Sequence, residues 1–464
     1  MTDSSETYDL VILGGGSGGY ACALRAAQLG LSVALVEKDK LGGTCLHKGC
    51  IPTKALLHAA EVADSTRESA KFGVKATLEG IDMPGVHTYK DGVIGRLHKG
   101  LQGLVKAAKV TYVEGAGKVV GKDDAGTAVE VDGRRLVGRT LVLATGSRPV
   151  TLPGIEITGR VMTSEGALTL QEVPQRVVVL GGGVIGCELA SVFASFGSTV
   201  TIVEALPRLL APEEPSISKT LERSFKKRKI GVKTNTRCAA VTQNDDVATV
   251  ELDNGEKLEA DLVLVAVGRG PVTDGLGYEE LGLEMERGFV LADERCRTNV
   301  EGVRAVGDIV PGLQLAHRGF AQGILVAEDI AGLDPEPIEE SGIPRITYTD
   351  PEVASVGVTE AKAKEVHGDD AVEAIEFNLG GNGKSQMLAT SGFVKVVRVK
   401  DGPVVGIHMI GARMGEQIGE AQLIVGWEAL PEEVAQFVHA HPTQNEALGE
   451  AHMALAGKPL HAHA

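Results

Sequence analysis

Two cysteines, Cys45 and Cys50, lie in the run Gly42-Gly43-Thr44-Cys45-Leu46-His47-Lys48-Gly49-Cys50-Ile51-Pro52-Thr53-Lys54. Thiols this close can cycle between a dithiol and a disulfide and so carry two electrons. The spacing sets a geometric condition. Five residues of regular helix advance about 7.5 Å, whereas disulfide-bonded Cα atoms stay within about 7 Å. A helix through this run must therefore be distorted if the pair bonds. Gly42, Gly43 and Gly49 supply that freedom, and Pro52 interrupts the hydrogen-bond ladder just beyond. Two other readings stay open on spacing alone: packed, inert thiols, or half of a zinc site. Cys22, Cys187, Cys238 and Cys296 are isolated, so no second close pair completes a four-cysteine metal site.

A second cluster, His439-Ala440-His441-Pro442-Thr443-Gln444-Asn445-Glu446, stands near the end of the chain. Histidine and proline are commonly surface loop residues. The chemical alternative makes one histidine a general base toward a thiol, with Glu446 fixing its tautomer. A dithiol site needs such a base, because the thiolate is the nucleophile and a thiol of pKa about 8.5 is mostly protonated at neutral pH. Histidine titrates in the range that suits this task.

The elements that must position these groups form an internal repeat. The apolar strand Tyr8–Leu13 leads into Gly14-Gly15-Gly16-Ser17-Gly18-Gly19. An alanine-rich helix runs to Gly30, and a second strand, Ser32–Val36, ends at Glu37. The same order recurs in Arg176–Leu180, Gly181-Gly182-Gly183-Val184-Ile185-Gly186, a helix to Gly197, and Thr199–Val203 ending at Glu204. The spacing from first glycine to acidic residue is identical in the two units. Each Gly-x-Gly-x-x-Gly follows a strand and opens a helix, the context a dinucleotide fingerprint requires. Gly14 and Gly181 permit the turn, and Gly16 and Gly183 let a pyrophosphate approach the helix start. Gly19 and Gly186 let helix and strand pack, while Glu37 and Glu204 face a ribose diol. A carboxylate at Glu204 would repel a 2′-phosphate and favours NAD over NADP. Arg208, four residues on, weakens that argument.

The rest of the chain is consistent with a large α/β protein. At 464 residues it predicts three or four domains. Its net charge of −16 argues against general nucleic-acid binding, and the 60 glycines predict many tight turns or close approaches to ligands. Cysteine usage fits a reducing compartment. The polar start has no signal-peptide core, and no apolar run reaches the ~18 residues of a membrane span. A cytoplasmic protein is expected. Helical spacing covers 55–75 and 92–109, and strands with turns at 123–126 and 132–133 cover 110–140. Strand-to-turn runs end at Gly146-Ser147, Gly268-Arg269 and Gly307-Asp308. Beyond 345 the pattern changes to alternating strands, followed by helices over Glu416–Trp427 and Pro431–Phe437.

Taken together, these runs resemble the flavin-dependent pyridine-nucleotide disulfide oxidoreductases. Gly42 through Lys54 and His439 through Glu446 carry the resemblance most specifically. Ala144-Thr145-Gly146-Ser147, Ala305-Val306-Gly307-Asp308 and Tyr348 through Gly357 add to it. The resemblance covers nearly the whole chain. It implies two Rossmann-like domains, for FAD over 1–150 and for NAD over 151–272. A central domain over 273–345 completes the FAD site, and an α+β dimerisation domain follows over 346–464. Cys50 would lie against the flavin and Cys45 would be the exchange thiol. Lys54 would sit near the flavin N5, paired with Glu188. The FAD contacts it implies are Gly14, Gly16, Gly19, Glu37, Thr44, Lys54, Gly117, Thr145, Gly146, Ser147 and Asp308, with Leu315, Ala316 and His317 at a helix start facing the flavin O2 edge. Those for NAD are Gly181, Gly183, Ile185, Gly186, Glu188, Glu204 and Gly268. The base would be His441, immediately before Pro442, held by Glu446 and acting on the other subunit of a homodimer.

Within the family the resemblance is to members that oxidise protein-bound dihydrolipoamide with NAD. Their partners are the lipoylated acyltransferases of 2-oxo-acid dehydrogenase complexes and the lipoylated carrier of glycine cleavage. Glutathione-type reductases of this architecture use NADPH, against Glu204. Mercuric and large thioredoxin reductases need cysteines nearer the C-terminus than Cys296. A non-catalytic FAD-binding partner protein would not need the full set of Cys45, Cys50, Lys54, His441 and Glu446. Three places depart from the usual pattern: His47-Lys48, Gly270 after Arg269, and Gln444-Asn445, the last of which bears on how Glu446 is aimed.

Overall fold

The computed structural model describes residues 6–462. Most of the polar start read above therefore lies outside the described residues. Leu10 to Leu13 are all buried, so β1 (Glu6–Leu13) is a central strand covered on both faces. It is followed by α1 (Ser17–Gln28), β2 (Val33–Glu37), α2 (Gly43–Lys48), α3 (Cys50–Glu68) and α4 (Met83–Ala107). Then come β3 (Thr111–Glu114), β4 (Lys118–Asp123), β5 (Gly126–Val131) and β6 (Arg134–Leu143). The first sheet has seven strands in the order β3-β2-β1-β6-β5-β4, with Val303–Ala305 added beside β6. The start of β6 pairs antiparallel with β5 and its end pairs parallel with Val303–Ala305. One strand thus joins the parallel nucleotide-binding half to an antiparallel meander.

The second repeat builds a five-stranded parallel sheet from Gly231–Lys233, Thr199–Val203, Arg176–Leu180, Leu262–Val265 and Val161–Thr163. A three-stranded antiparallel sheet over 238–260 flanks it. The last part of the chain forms a five-stranded antiparallel sheet, with Glu352–Gly357 and Val404–Gly411 at its centre. Helices Met414–Gly426 and Glu446–Leu455 pack their apolar faces against this sheet's core. The residues over 273–345 give a strand to the first sheet and a helix, Ala316–Ile330, against α1. The helix expected over Pro431–Phe437 closes after Val434. Phe437 and Val438 are exposed in the single chain, so no core face holds a further turn.

Two close approaches recur in both nucleotide folds, and a third belongs to the first. Gly14 and Gly181 have φ of 110° and 113°, and a Cβ there would lie 2.2 Å and 2.4 Å from the carbonyl oxygens of Ala144 and Ala266. A Cβ on Gly19 or Gly186 would come within 1.8 Å or 2.0 Å of the carbonyl oxygen of Gly14 or Gly181. The two loops are thus packed alike, backbone against backbone. A Cβ on Gly323 would lie 2.3 Å from the Gly18 carbonyl oxygen, so helix Ala316–Ile330 meets α1 backbone to backbone at that point. Gly186→Ala is expected to lower the stability of the folded protein by about 1–3 kcal/mol through overpacking, read from its guanidinium unfolding midpoint. An unchanged midpoint would mean that this helix can move off its strand.

Candidate functional site

The distortion expected between the two cysteines is a break. Helix α2 ends at Lys48, Gly49 takes a non-helical conformation, and α3 restarts at Cys50. Gly42 and Gly43 have φ of 106° and 57°, and a Cβ on Gly43 would lie 2.7 Å from the Gly16 Cα. The dithiol loop therefore rests directly on the first glycine loop. All six cysteines are free thiols. Among the described residues no group of three or more His, Cys, Asp or Glu could hold a metal ion.

The two thiols are unlike in acidity. Cys50 is lowered to about 7, first by the hydrogen bond from Cys45 and then, against the cost of burial, by the charge of Lys54. Its place as the first residue of a 19-residue helix favours the thiolate in the same direction. Cys45 is raised, by the same hydrogen bond and by burial. Both directions favour a thiolate at Cys50 over one at Cys45.

Lys54, one turn further along α3, donates to both oxygens of Glu188, at 3.0 Å and 2.8 Å. Glu188 is 2% exposed, on helix Val184–Phe196 of the second repeat. Its Oε1 also accepts the Tyr348 N–H at 2.9 Å, and Lys54 Nζ sits 4.7 Å from the Tyr348 ring centroid. Burial would lower the Lys54 pKa, but the charge and hydrogen bonds of Glu188 outweigh it and the pKa is raised.

These groups line a cavity of ≈ 1080 Å³ that runs from the first glycine loop past the dithiol to the second loop. Gly16 and Gly183 both line it, and a Cβ at either would meet nothing within 4 Å. Backbone N–H groups at two helix starts are therefore open to anionic ligands. Glu204 accepts the N–H groups of Gly182 and Leu206 at 2.5 Å and 2.7 Å. Glu37 makes the same contacts to Gly15 and Asp39 at 2.7 Å and 2.8 Å. Two dinucleotide cradles of one design fit FAD and NAD. Arg208 turns its guanidinium onto the Ala211 and Glu213 carbonyls, so it does not neutralise Glu204.

Of the remaining expected contacts, Thr44, Gly146, Asp308, Leu315, Ala316 and His317 line the cavity, as do Gly181, Ile185 and Gly268. Ser147 also lines it and donates to Asp308 Oδ2 at 2.5 Å. Six expected contacts, Gly14, Gly19, Glu37, Gly117, Thr145 and Gly186, do not line this cavity. Thr145 turns its hydroxyl to the Val272 carbonyl, and a Cβ on Gly117 would strike Leu13 and Val36 in the core. Glu37 is buried behind its loop, and Gly186 backs the turn with Gly14 and Gly19.

The second cluster is not at the dithiol within one chain. His441 Nδ1 and Glu446 Oε1 are 2.7 Å apart, and the Thr443 N–H donates to Glu446 Oε2 at 2.7 Å. Neither His441 nor Glu446 lines the cavity, and the His441 side chain is 77% exposed. Burial would raise the Glu446 carboxyl, but the Thr443 and His441 contacts reverse this and lower it. The three departures are accommodated. His47 lies 3.0 Å from the Leu41 carbonyl and packs edge-on against His98, and Lys48 pairs with Asp39. Gly270 pairs with Arg148 in a short ladder. Gln444 and Asn445 hydrogen-bond away from Glu446, to Ser385, Ala412 and Glu420.

Sequence reasoning gave no role to Tyr348, Arg269 or Glu420. Arg269 donates to the Ser147 hydroxyl and carbonyl at 2.8 Å and 2.7 Å beside Asp308. No periodicity joins these positions to their partners, although Tyr348 and Arg269 stood inside motif runs. Lys54→Met would leave Glu188 buried with only the Tyr348 N–H. A loss of about 3 kcal/mol is expected, together with an upward move of the Cys50 thiolate midpoint from about 7. Both are measurable, the first by chemical denaturation and the second by the pH dependence of Cys50 alkylation in the reduced protein. An unmoved midpoint would remove Lys54 from the electrostatics of the dithiol.

The pyridine nucleotide-disulphide oxidoreductase model matches residues 8–323, and the dimerisation domain of that family matches 343–452. A dihydrolipoyl dehydrogenase of Bacillus subtilis is 41% identical, covering 98% of this chain and 99% of that protein. One from Geobacillus stearothermophilus is 41% identical over 98% of this chain and 97% of its own length. A mitochondrial dihydrolipoyl dehydrogenase of Arabidopsis thaliana is 39% identical over 99% and 92%. Among solved structures, LpdA of Mycobacterium tuberculosis superposes with a TM-score of 0.90 at 26% identity, covering 97% of this chain and 99% of that one. By the matched domains and by identity along almost its full length, the chain belongs to the pyridine nucleotide-disulphide oxidoreductase family.

Proposed function

We propose that this protein oxidises protein-bound dihydrolipoamide to lipoamide and passes the electrons to NAD⁺, with FAD and NAD as its cofactors. The observation that carries this reading is the dithiol pair, Cys45 and Cys50 on either side of the Gly49 break, opening with Lys54 and Glu188 on a cavity that also reaches the Glu204 cradle. Relatives near 40% identity along the whole chain are dihydrolipoyl dehydrogenases.

In this reading a substrate thiol gives its proton to His441 Nε2, whose Nδ1–H is held by Glu446. The thiolate bonds to Cys45 Sγ, the Cys45–Cys50 bond breaks, and the electron pair stays on Cys50. That direction follows from acidity, because the sulfur of lower pKa leaves faster. The second substrate sulfur then displaces Cys45, closing the lipoyl disulfide and leaving Cys45 as the thiol. Bound FAD supplies a two-electron relay from the dithiol to NAD⁺. The sum is dihydrolipoamide plus NAD⁺ to lipoamide, NADH and a proton. Lys54 and Glu188 hold the charge balance beside Cys50. Asp308, with Ser147 and Arg269 behind it, offers a carboxylate to a ribityl hydroxyl.

His441 and Glu446 serve the dithiol of a second copy in this reading, so the working unit is a homodimer. The matched dimerisation domain and the exposure of the pair support that arrangement. The partners proposed are the lipoylated acyltransferases of 2-oxo-acid dehydrogenase complexes and the lipoylated carrier of glycine cleavage. No helix among the described residues is long and apolar enough to cross a membrane. The proposed compartment is the cytoplasm, where reduced cysteines persist.

Loss of a general base costs about 10²–10⁴-fold. His441→Gln is expected to lose that much kcat/KM with dihydrolipoamide and NAD⁺. NADH oxidation by an artificial acceptor needs no thiol deprotonation and is expected to persist. Mixing inactive His441→Gln with inactive Cys45→Ser subunits is expected to restore activity in heterodimers. Heterodimers that form and stay inactive would place base and dithiol in one subunit. NAD⁺ is expected to exceed NADP⁺ in kcat/KM by about 10²-fold or more, because facing like charges cost several kcal/mol. Equal values would mean that Glu204 does not face the ribose.

A further inference from the structure

His441 is mostly exposed, and its ring is held by a hydrogen-bond contact to Glu446. An exposed imidazole is aimed only as well as its backbone is fixed. The segment that carries it, His439 to Asn445, is pinned at both ends by one carboxylate on another element. Glu420, on helix Met414–Gly426, has its Oε1 2.8 Å from His439 Nε2. Its Oε2 accepts the Asn445 side-chain N–H at 2.7 Å. Between those ends, Thr443 Oγ1 donates to the Ala440 carbonyl and Asn382 Nδ2 to the Thr443 carbonyl, at 2.7 Å and 2.9 Å. Gln444 is buried, accepts from Ser385 and donates to the Ala412 carbonyl. Its amide is thus satisfied on both sides. Glu420 is lowered, first by His439, and His439 is raised, first by Glu420. The two shifts agree that the pair is charge-assisted.

We propose that Glu420 is a positioning residue for the reaction: by clamping His439 and Asn445 it fixes the loop that aims His441. The assignment rests on the reading of His441 as the base. It gives the unusual Asn445 a function in this chain, since an apolar or small residue there would leave Glu420 Oε2 without this donor. The clamp acts by geometry. Misplacement of a catalytic group by about 1 Å can cost about 10²-fold, and removing the carboxylate frees both ends of the loop.

The experiment is a double-mutant cycle with free dihydrolipoamide and NAD⁺, using Glu420→Gln, His441→Gln and the double variant as FAD-loaded dimers. Glu420→Gln is expected to lower kcat/KM by about 10- to 100-fold while the NADH-to-ferricyanide rate stays within about 2-fold of wild type. In the His441→Gln background the same substitution is expected to cause no further loss, because its effect passes through His441. Asn445→Ser, which removes one arm of the clamp, is expected to fall between wild type and Glu420→Gln, and carries the test if Glu420→Gln does not fold. Equal losses in the two backgrounds, a parallel fall of the ferricyanide rate, or full activity in Glu420→Gln would overturn the assignment. If His441→Gln itself keeps wild-type activity with dihydrolipoamide, the base reading fails, and this proposal fails with it. A large His441→Gln loss beside an inert Glu420→Gln would refute the clamp alone.

Discussion

Glu188 is the point on which the site depends. A carboxylate 2% exposed is unstable unless it is paired and hydrogen-bonded. The donors that satisfy it come from distant parts of the chain. Lys54 arrives from the dithiol helix and the Tyr348 N–H from the segment entering the last sheet, while Glu188 itself stands on the helix of the second glycine loop. One buried charge therefore ties the redox helix to the second nucleotide fold and to the C-terminal part. The same Lys54 lowers the Cys50 thiol. Fixing the architecture and setting the charge at the chemical centre are one interaction.

The repeat supplies the rest of the frame by using backbone in place of side chains. At Gly19 and Gly186 a helix touches a turn so closely that even a methyl group has no room. The acidic residue at the end of each second strand then closes its loop by accepting a backbone N–H. A carboxylate held this way is oriented before any ribose arrives, and so is the N–H array beside it. The dithiol loop leans on the first of these turns through Gly43 and Gly16. The position of the sulfurs is thus inherited from the nucleotide fold.

Local patterns were legible in the sequence because each is a short-range physical requirement. The two glycine loops, the strands that precede them and the need for a break between Cys45 and Cys50 all follow from spacing and from the conformations glycine permits. Pairings across the fold were not legible in the same way. Lys54 and Glu188 are 134 positions apart, and no periodicity joins them, so the pair was reached only through resemblance. Tyr348 and Glu420 were assigned nothing, since what matters at Tyr348 is a backbone N–H and at Glu420 a contact to a distant loop. Thr145 and Gly117, expected as FAD contacts, lie off the cavity wall. Both lie in or near a motif run, yet one hydroxyl turns to a carbonyl and one α-carbon faces core methyl groups. Pro431–Phe437 reads as helix by pattern, but the helix closes at Val434 and Phe437 stays exposed in the single chain.

The chemistry proposed for this fold separates electrons from protons in space. Cys45, Cys50 and Lys54 sit in the cavity between the nucleotide folds, where burial and a paired cation control which sulfur carries charge. His441 lies exposed on the C-terminal part, three residues along the chain from the exposed Val438. A base left in water gains little from an orienting carboxylate, because solvent competes for both of its nitrogens. It becomes effective only when another surface excludes that water and brings a thiol within reach. The exposed Phe437 and Val438 just before His441 in the chain supply a reason for such a surface to dock, and the matched dimerisation domain supplies the means. A dimer in which each chain completes its partner's dithiol site would meet both requirements with one interface. It would also explain why a segment so exposed in the single chain is held by so many internal hydrogen bonds.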